Sequence, residues 1–181
     1  TMEQLRYVIL NKPKDSVTTM SDTHDRRTVI DLVKDACEER IYPVGRLDRM
    51  TTGILVLTND GELAKRLTHP SHRVKKTYLA VLNRPVAPED LKELLEGVIL
   101  EDGDTKFDSA FLDDKDESGK SVIATLHSGK NRIVRRMFAA KGYRVEKLDR
   151  IEFAGLKKGN LTRGRWRFLT EKEIGFLKMI N

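Results

Sequence analysis

Short apolar runs and amphipathic stretches alternate along the chain. Residues 7–10 form an apolar, partly β-branched run that ends at Asn11-Lys12-Pro13, and residues 54–57 are apolar between Gly53 and the polar turn 59–61. Each run predicts a buried strand, and residues 78–82 and 145–153 predict two more.

Four stretches have helical features. Residues 28–37 place their apolar side chains on one stripe, and residues 88–96 start with a proline and stop before Gly97. Residues 131–141 predict a helix ended by Gly142, and Thr170 with Glu173 predicts a capping box for a last helix. The acidic segment 101–120 predicts exposed strands or loops. Strands so widely separated favour an α+β fold with helices packed on a mixed sheet.

Composition indicates a globular protein with a real core. The 181 residues are 39% apolar, which suits one compact domain or two tightly joined lobes. Cys37 is the single cysteine, so neither a disulfide framework nor a thiolate metal cluster is expected. No apolar stretch approaches the roughly 18 residues that span a bilayer, and the N-terminal sequence lacks a signal-peptide layout. We therefore expect a cytoplasmic protein with no membrane partner.

The net charge of +6 is unevenly placed. Residues 89–120 carry 12 acidic and 4 basic side chains, whereas residues 127–167 carry 13 basic and 3 acidic ones. This asymmetry predicts a strongly cationic face and favours an anionic partner, nucleic acid first. A solvated surface with no such partner is the ordinary alternative for any charge run.

The stretch 45–61, GRLDRMTTGILVLTNDG, places an aspartate on a loop just before a buried strand. Asp48 would be held by a rigid scaffold while remaining open to a ligand, which suits catalysis. The alternative is that Asp48 only caps a turn and pairs with Arg46 or Arg49.

This stretch resembles motif II of the RsuA/RluB/RluE/RluF family of RNA pseudouridine synthases. Three further segments are similar to the same family: YVILNKP at 7–13, the HP and KTY elements within 69–78, and SGKNRIVRRMF at 128–138. Four ordered motifs over about 130 residues are far more specific than any one of them. The resemblance implies the fold of that family, a curved, mixed and mainly antiparallel sheet in two lobes, with Asp48 in a central cleft.

The resemblance also assigns roles to three residues. Asp48 becomes the catalytic carboxylate, Tyr78 the aromatic ring that stacks on the target base, and Arg135 the basic partner of Asp48. A carboxylate can act as nucleophile or base, and a guanidinium within about 4 to 6 Å favours its ionised form. A uridine taken out of its stack regains roughly 1 to 3 kcal/mol by stacking on an aromatic side chain. Without the resemblance, Tyr78 would be an ordinary core aromatic.

A set of basic side chains is expected to bind RNA phosphates. Arg132, Arg135 and Arg136 have the i, i+3, i+4 spacing of one helical face. The expected RNA-binding residues are Arg46, Lys75, Lys76, Lys130, Arg132, Arg136, Arg163, Arg165 and Arg167. For some of them, a solvated side chain with no ligand is the alternative.

Two departures from the family pattern stand out. Ile133 occupies the place of a common glutamine, which removes one amide from the site. The small S4 RNA-binding domain that most members carry ahead of the catalytic domain is absent from residues 3–181, which we expect to be the catalytic domain. Either the chain is of the type without S4 or that domain was removed, and Thr1, which is no initiator, favours removal.

The resulting hypothesis is a cofactor-free, monomeric pseudouridine synthase that acts on ribosomal RNA, with 23S RNA favoured over 16S RNA. His24, His69, His72 and His127 lack metal-ligand spacing, so no metal site is expected. A non-catalytic factor that binds or assembles ribosomal RNA on the same scaffold is the alternative.

Overall fold

The computed structural model describes residues 3–19 and 27–180, which form eleven strands and five α-helices. The strands are β1 Tyr7–Lys12, β2 Tyr42–Pro43, β3 Thr52–Thr58, β4 Lys76–Leu82, β5 Val98–Leu100, β6 Gly103–Thr105, β7 Ser109–Leu112, β8 Ser121–Leu126, β9 Val145–Phe153, β10 Leu156–Lys157 and β11 Trp166–Phe168. The helices are α1 Val29–Val33, α2 Gly61–Thr68, α3 Pro88–Glu96, α4 Ile133–Ala140 and α5 Glu171–Lys178, with a 3₁₀ turn at Pro70–His72.

Nine of these strands form one sheet in the order β11-β1-β3-β9-β4-β8-β7, with β2 on β3 and β10 on β9. Every pairing in this sheet is antiparallel except β3 with β9, which is parallel. Strands β5 and β6 form a separate two-stranded ribbon. The predicted α+β fold with a mixed, mainly antiparallel sheet is confirmed.

The two halves of the sheet meet at a very short join. Strand β3 pairs with β9 only at Thr52 and Gly53, opposite Asp149 and Arg150. Gly53 has φ +115°, and a Cβ there would lie 2.2 Å from the Arg150 carbonyl oxygen. Only glycine permits this backbone approach.

Each half of the sheet has its own core. On the β4–β8 side, Phe107 and the α4 residues Met137 and Phe138 are buried in one cluster with side chains of β4, β8 and β9. On the β1–β3 side one cluster faces α2 and α5 and another faces α1, so both strands are buried on both faces. This double burial explains why residues 7–10 and 54–57 are continuous apolar runs.

Two predicted helices differ in extent from the structure. Helix α1 stops at Val33, four residues short of the prediction, because the Ala36 amide bonds to the Val33 carbonyl (2.9 Å) and the chain turns. Helix α4 starts at Ile133, because Arg132 before it adopts the left-handed conformation, with φ +51°. Helix α2 and the strands β2, β5, β8, β10 and β11 were not predicted. Within the described residues, no helix is long and apolar enough to cross a membrane.

Candidate active site

The loop that carries Asp48 is held in place by a buried lysine, Lys12. The Asp48 carbonyl accepts a hydrogen bond from the Thr51 amide (3.0 Å), which closes a turn directly before β3. The Lys12 ammonium, fully buried at the end of β1, donates to the carbonyls of Pro13, Arg49 and Thr51 at 2.8 to 3.1 Å. Burial lowers the pKa of Lys12 to about 8, and the charge of Asp48 partly opposes this shift. The loop is therefore anchored to the first strand.

Two arginines contact the Asp48 carboxylate. The Arg132 guanidinium donates to Asp48 Oδ2 at 3.1 Å, and Arg135 Nε lies 3.7 Å from the same oxygen. Arg135 is the better enclosed, with 14% of its side chain exposed against 52% for Arg132 and 28% for Asp48. The other nitrogens of Arg135 bond to Thr51 Oγ1 (3.2 Å) and the Val145 carbonyl (3.3 Å). Arg135 thus lies behind the carboxylate, and Arg132 reaches it from the solvent side.

The charges around Arg135 are closely coupled. Burial and the neighbouring Arg132 lower the pKa of the Arg135 guanidinium, whereas Asp48 opposes the shift. An arginine nevertheless stays charged at neutral pH, so Asp48 has a permanent cation behind it.

Tyr78 reaches the cleft through an irregularity in the sheet. The register between β4 and β9 shifts between Thr77 and Tyr78, which sets Tyr78 opposite Arg150. Such a bulge re-aims the side chains beside it. The Arg150 side chain is buried, donates from Nε to the Ile54 carbonyl (2.9 Å) and lies over the Phe153 ring at 4.4 Å. Burial lowers the pKa of Arg150, and the nearby Tyr78 hydroxyl opposes this shift.

Asp48 and Tyr78 line the same cleft, which has a volume of about 560 Å³. This size falls in the usual range for sites that enclose a small ligand. The lining includes the Asp48 loop, the start of β4, the segment 128–134 and part of β9. The two side chains predicted to act on the base therefore share one cavity.

The structure brings some of the expected RNA-binding residues to the cleft and leaves others away from it. Those that line it are Arg46, Lys76, Lys130 and Arg132. Lys76 Nζ donates to the Ser128 carbonyl (3.3 Å), and burial, with help from Arg150, lowers the pKa of Lys76 to about 8. The expected residues outside the lining are Lys75, Arg136, Arg163, Arg165 and Arg167.

Several of the outer cations have acidic partners. Arg136 binds both oxygens of Asp102 at 2.8 and 3.0 Å. Arg163 pairs with Asp149 at 2.9 Å. Arg167 pairs with Glu173 at 2.7 Å and holds the pKa of Glu173 at about 2. Of these three partners only Asp102 belongs to the acidic stretch 89–120, but together the three pairs neutralise part of the predicted cationic face.

Sequence reasoning missed three residues that shape the site. Lys12 was seen only as part of a family motif, and Thr51 was read as loop. Arg150 was placed in a predicted strand without a role. Five of the nine residues of 145–153 are charged, so the sequence alone does not single out Arg150 as the buried one.

The structure describes His69, His72 and His127, while His24 lies outside the described residues. Among residues 3–19 and 27–180, no group of three or more metal-ligating side chains comes together.

The chain is similar to known proteins over most of its length. Residues 6–140 match the RNA pseudouridylate synthase family. An uncharacterized RNA pseudouridine synthase of Aquifex aeolicus is 40% identical over 176 residues, covering 97% of this chain and 70% of that protein. The ribosomal large subunit pseudouridine synthase B of Bacillus subtilis is 41% identical over 180 residues, covering 98% of this chain and 73% of that protein.

A crystal structure of a pseudouridylate synthase superposes with a TM-score of 0.85 at 34% identity, covering 97% of this chain and 75% of that one. Sequence identity and fold agree over almost the whole chain, and the family match covers residues 6–140. The chain therefore belongs to the RNA pseudouridylate synthase family and is an isomerase that acts on RNA.

Proposed function

We propose that this protein converts a uridine of ribosomal RNA to pseudouridine, with Asp48 as the nucleophile or base. The observation that carries the proposal is the shared cleft: Asp48 and Tyr78 line it together, and two guanidinium groups contact the carboxylate. A charged acid, a flat aromatic platform and a cavity of nucleoside size suit a reaction on an extruded base.

The reaction is an intramolecular transfer of uracil. The N1–C1′ bond breaks, the uracil turns, a C5–C1′ bond forms, and the hydrogen lost from C5 is balanced by one gained at N1. An ionised carboxylate can assist by adding to C1′, by adding to the ring or by taking a proton from C2′. Arg135 places a positive charge beside the carboxylate, and Tyr78 holds the detached base while it turns.

Ribosomal RNA is the proposed substrate because relatives about 40% identical are named for the large ribosomal subunit. On that ground we favour 23S over 16S RNA. We propose that residues 3–181 carry out the reaction as a monomeric catalytic domain with no cofactor. The proposed substrate places the reaction in the cytoplasm.

Mapping of chemically tagged pseudouridines tests the substrate. Ribosomal RNA from a deletion strain is compared with RNA from its parent, and one or more large-subunit sites are expected to disappear from the deletion strain. Unchanged maps of both ribosomal RNAs would refute the proposed substrate.

Exchange of the carboxylate tests the role of Asp48. The Asp48→Asn variant should restore no site in the deletion strain, yet it should bind the RNA at least as well as wild type, because it loses one negative charge. The exposed Asp114 is a matched control, since Asp114→Asn makes the same chemical change outside the cleft. If Asp48→Asn were as active as Asp114→Asn, the proposed chemical role of Asp48 would be refuted.

A further inference from the structure

The ribbon formed by β5 and β6 presents an apolar side chain outward. Val98 and Leu100 pack against the core beneath α3 and α4, whereas Ile99 between them is 84% exposed. Alternation along the strand explains the opposite directions. Ile99 is the most exposed large hydrophobic side chain in the described part of the protein.

This ribbon borders a second hollow of about 700 Å³. Its lining includes Ile99, Arg73 and Lys106, and it shares Ser128 and Lys130 with the catalytic cleft. The two concavities therefore adjoin across the segment that precedes α4. A strand whose target base enters the cleft would have its neighbouring nucleotide at the hollow.

The ribbon is held in place by contacts to the same segment. The Asp102 carboxylate in its turn receives both Arg136 bonds, and Lys130 Nζ donates to the Asp102 carbonyl at 2.5 Å. The side-chain bonds from Arg136 lower the pKa of Asp102. A two-stranded ribbon is marginally stable alone, so these contacts fix the position of Ile99 relative to the cleft.

One part of the wall of the hollow carries positive charges that could bind a phosphodiester. Arg73 and Lys106 have no ion pair or side-chain hydrogen bond within residues 3–19 and 27–180. Lys130 donates to the Asp102 carbonyl, and its charge also acts on the Asp102 carboxylate. Two carboxylates, Glu96 and Asp104, also line the hollow. Phosphates are thus expected on Arg73 and Lys106 and not across the whole hollow.

We propose that the hollow binds the nucleotide next to the target uridine, with Ile99 packed against its base and Arg73 and Lys106 on its phosphates. An apolar side chain inserted beside a base step weakens stacking there, which would assist extrusion of the uridine. This role rests on the proposed function, because it concerns the same RNA strand.

Crosslinking tests the contact without requiring turnover. An unmodified large-subunit ribosomal RNA transcript containing 4-thiouridine is bound to the protein, irradiated and digested. Crosslinked peptides should include residues 97–106 as well as the segment 128–134 of the cleft. Crosslinks at the cleft with none at the ribbon would overturn the proposal.

Kinetics test the role of the side chain. Single-turnover pseudouridine formation is measured on the same transcript by nucleoside mass spectrometry. Ile99→Ala should slow the reaction or weaken binding by about tenfold, while Phe176→Ala, which removes another exposed apolar side chain away from both concavities, should match wild type. Equal behaviour of the two variants would refute a role for Ile99.

Salt dependence tests the phosphate contacts. Replacing Arg73 and Lys106 together by alanine should reduce the slope of log affinity against log salt by about 1.4, for two contacts to single-stranded RNA. An unchanged slope would refute these contacts. If wild type leaves the transcript unmodified, the proposed substrate fails, and the crosslinks still decide whether RNA contacts the ribbon.

Discussion

Replacement of Arg135 by methionine should slow the chemical step far more than replacement of Arg132. The 3.7 Å separation of Arg135 Nε from the Asp48 carboxylate corresponds to an attraction of about 4 kcal/mol at an effective dielectric of 20. Arg132 is closer, at 3.1 Å, but half of its side chain is exposed, so its pair with Asp48 is worth only about 0 to 1 kcal/mol. We therefore expect the burial of each arginine, and not its distance from Asp48, to decide which substitution slows the chemical step more.

These energies convert into rates. A loss of about 2 to 4 kcal/mol of transition-state stabilisation in Arg135→Met corresponds to a rate about 30 to 1,000 times lower. Arg132→Met should lose at most about fivefold in the chemical step. It should weaken RNA binding instead, if Arg132 exchanges Asp48 for a phosphate when RNA enters the cleft.

The assay separates these effects. Single-turnover rates at saturating enzyme report the chemical step, and filter binding reports affinity. Arg135→Lys is the matched control, because it keeps the charge but loses the fork that also binds Thr51 and Val145. Thermal unfolding shows whether each variant is folded. The reasoning is refuted if Arg132→Met proves slower than Arg135→Met, or if the two lose rate equally.

Three further outcomes are expected. Gly53→Ala should destabilise the fold by more than about 3 kcal/mol in denaturant unfolding, because its Cβ would lie 2.2 Å from a backbone oxygen of β9; a loss under about 1 kcal/mol would contradict the close join. Lys12→Met should lower both stability and activity, because three loop carbonyls lose their donor; full activity would show that the loop needs no anchor. The pKa of Lys76 is about 8, so its ammonium attracts RNA below that pH and loses its charge above it. The affinity for RNA should therefore fall between pH 7 and 9 in wild type but not in Lys76→Arg. Parallel curves of affinity against pH for the two proteins would contradict a contact through Lys76.

The strands were predicted where burial is strongest. Residues 7–10 and 54–57 are continuous apolar runs because both faces of β1 and β3 are covered. Helix α2 was not predicted because only two of its apolar side chains, Leu63 and Leu67, are buried, which gives a weak helical pattern. Asp60, taken as part of a turn, is its N-cap and accepts from the Leu63 amide at 3.1 Å. Strand β11 has three residues and depends on its pairing with β1, which no local pattern reveals.

The site was predictable in its residue types but not in its pairings. The motifs indicated Asp48, Tyr78 and Arg135, yet the left-handed backbone of Arg132 and its bond to Asp48 depend on tertiary packing. The preference of Arg136 for Asp102 likewise depends on where the ribbon folds. Charge counts along the chain could not show this, because partners 34 residues apart are chosen only when the fold is complete.

The short pairing of β3 with β9 also bears on when the candidate site can form during synthesis of the chain. Asp48 and Tyr78 are synthesised before β9, the strand that joins the two halves of the sheet and follows Asp48 by about 100 residues. A nascent chain that has not yet released β9 from the ribosome lacks this bridge, as well as Arg150 under the tyrosine. We therefore expect a truncated chain that ends before residue 145 to be inactive although it contains Asp48, Tyr78 and Arg135.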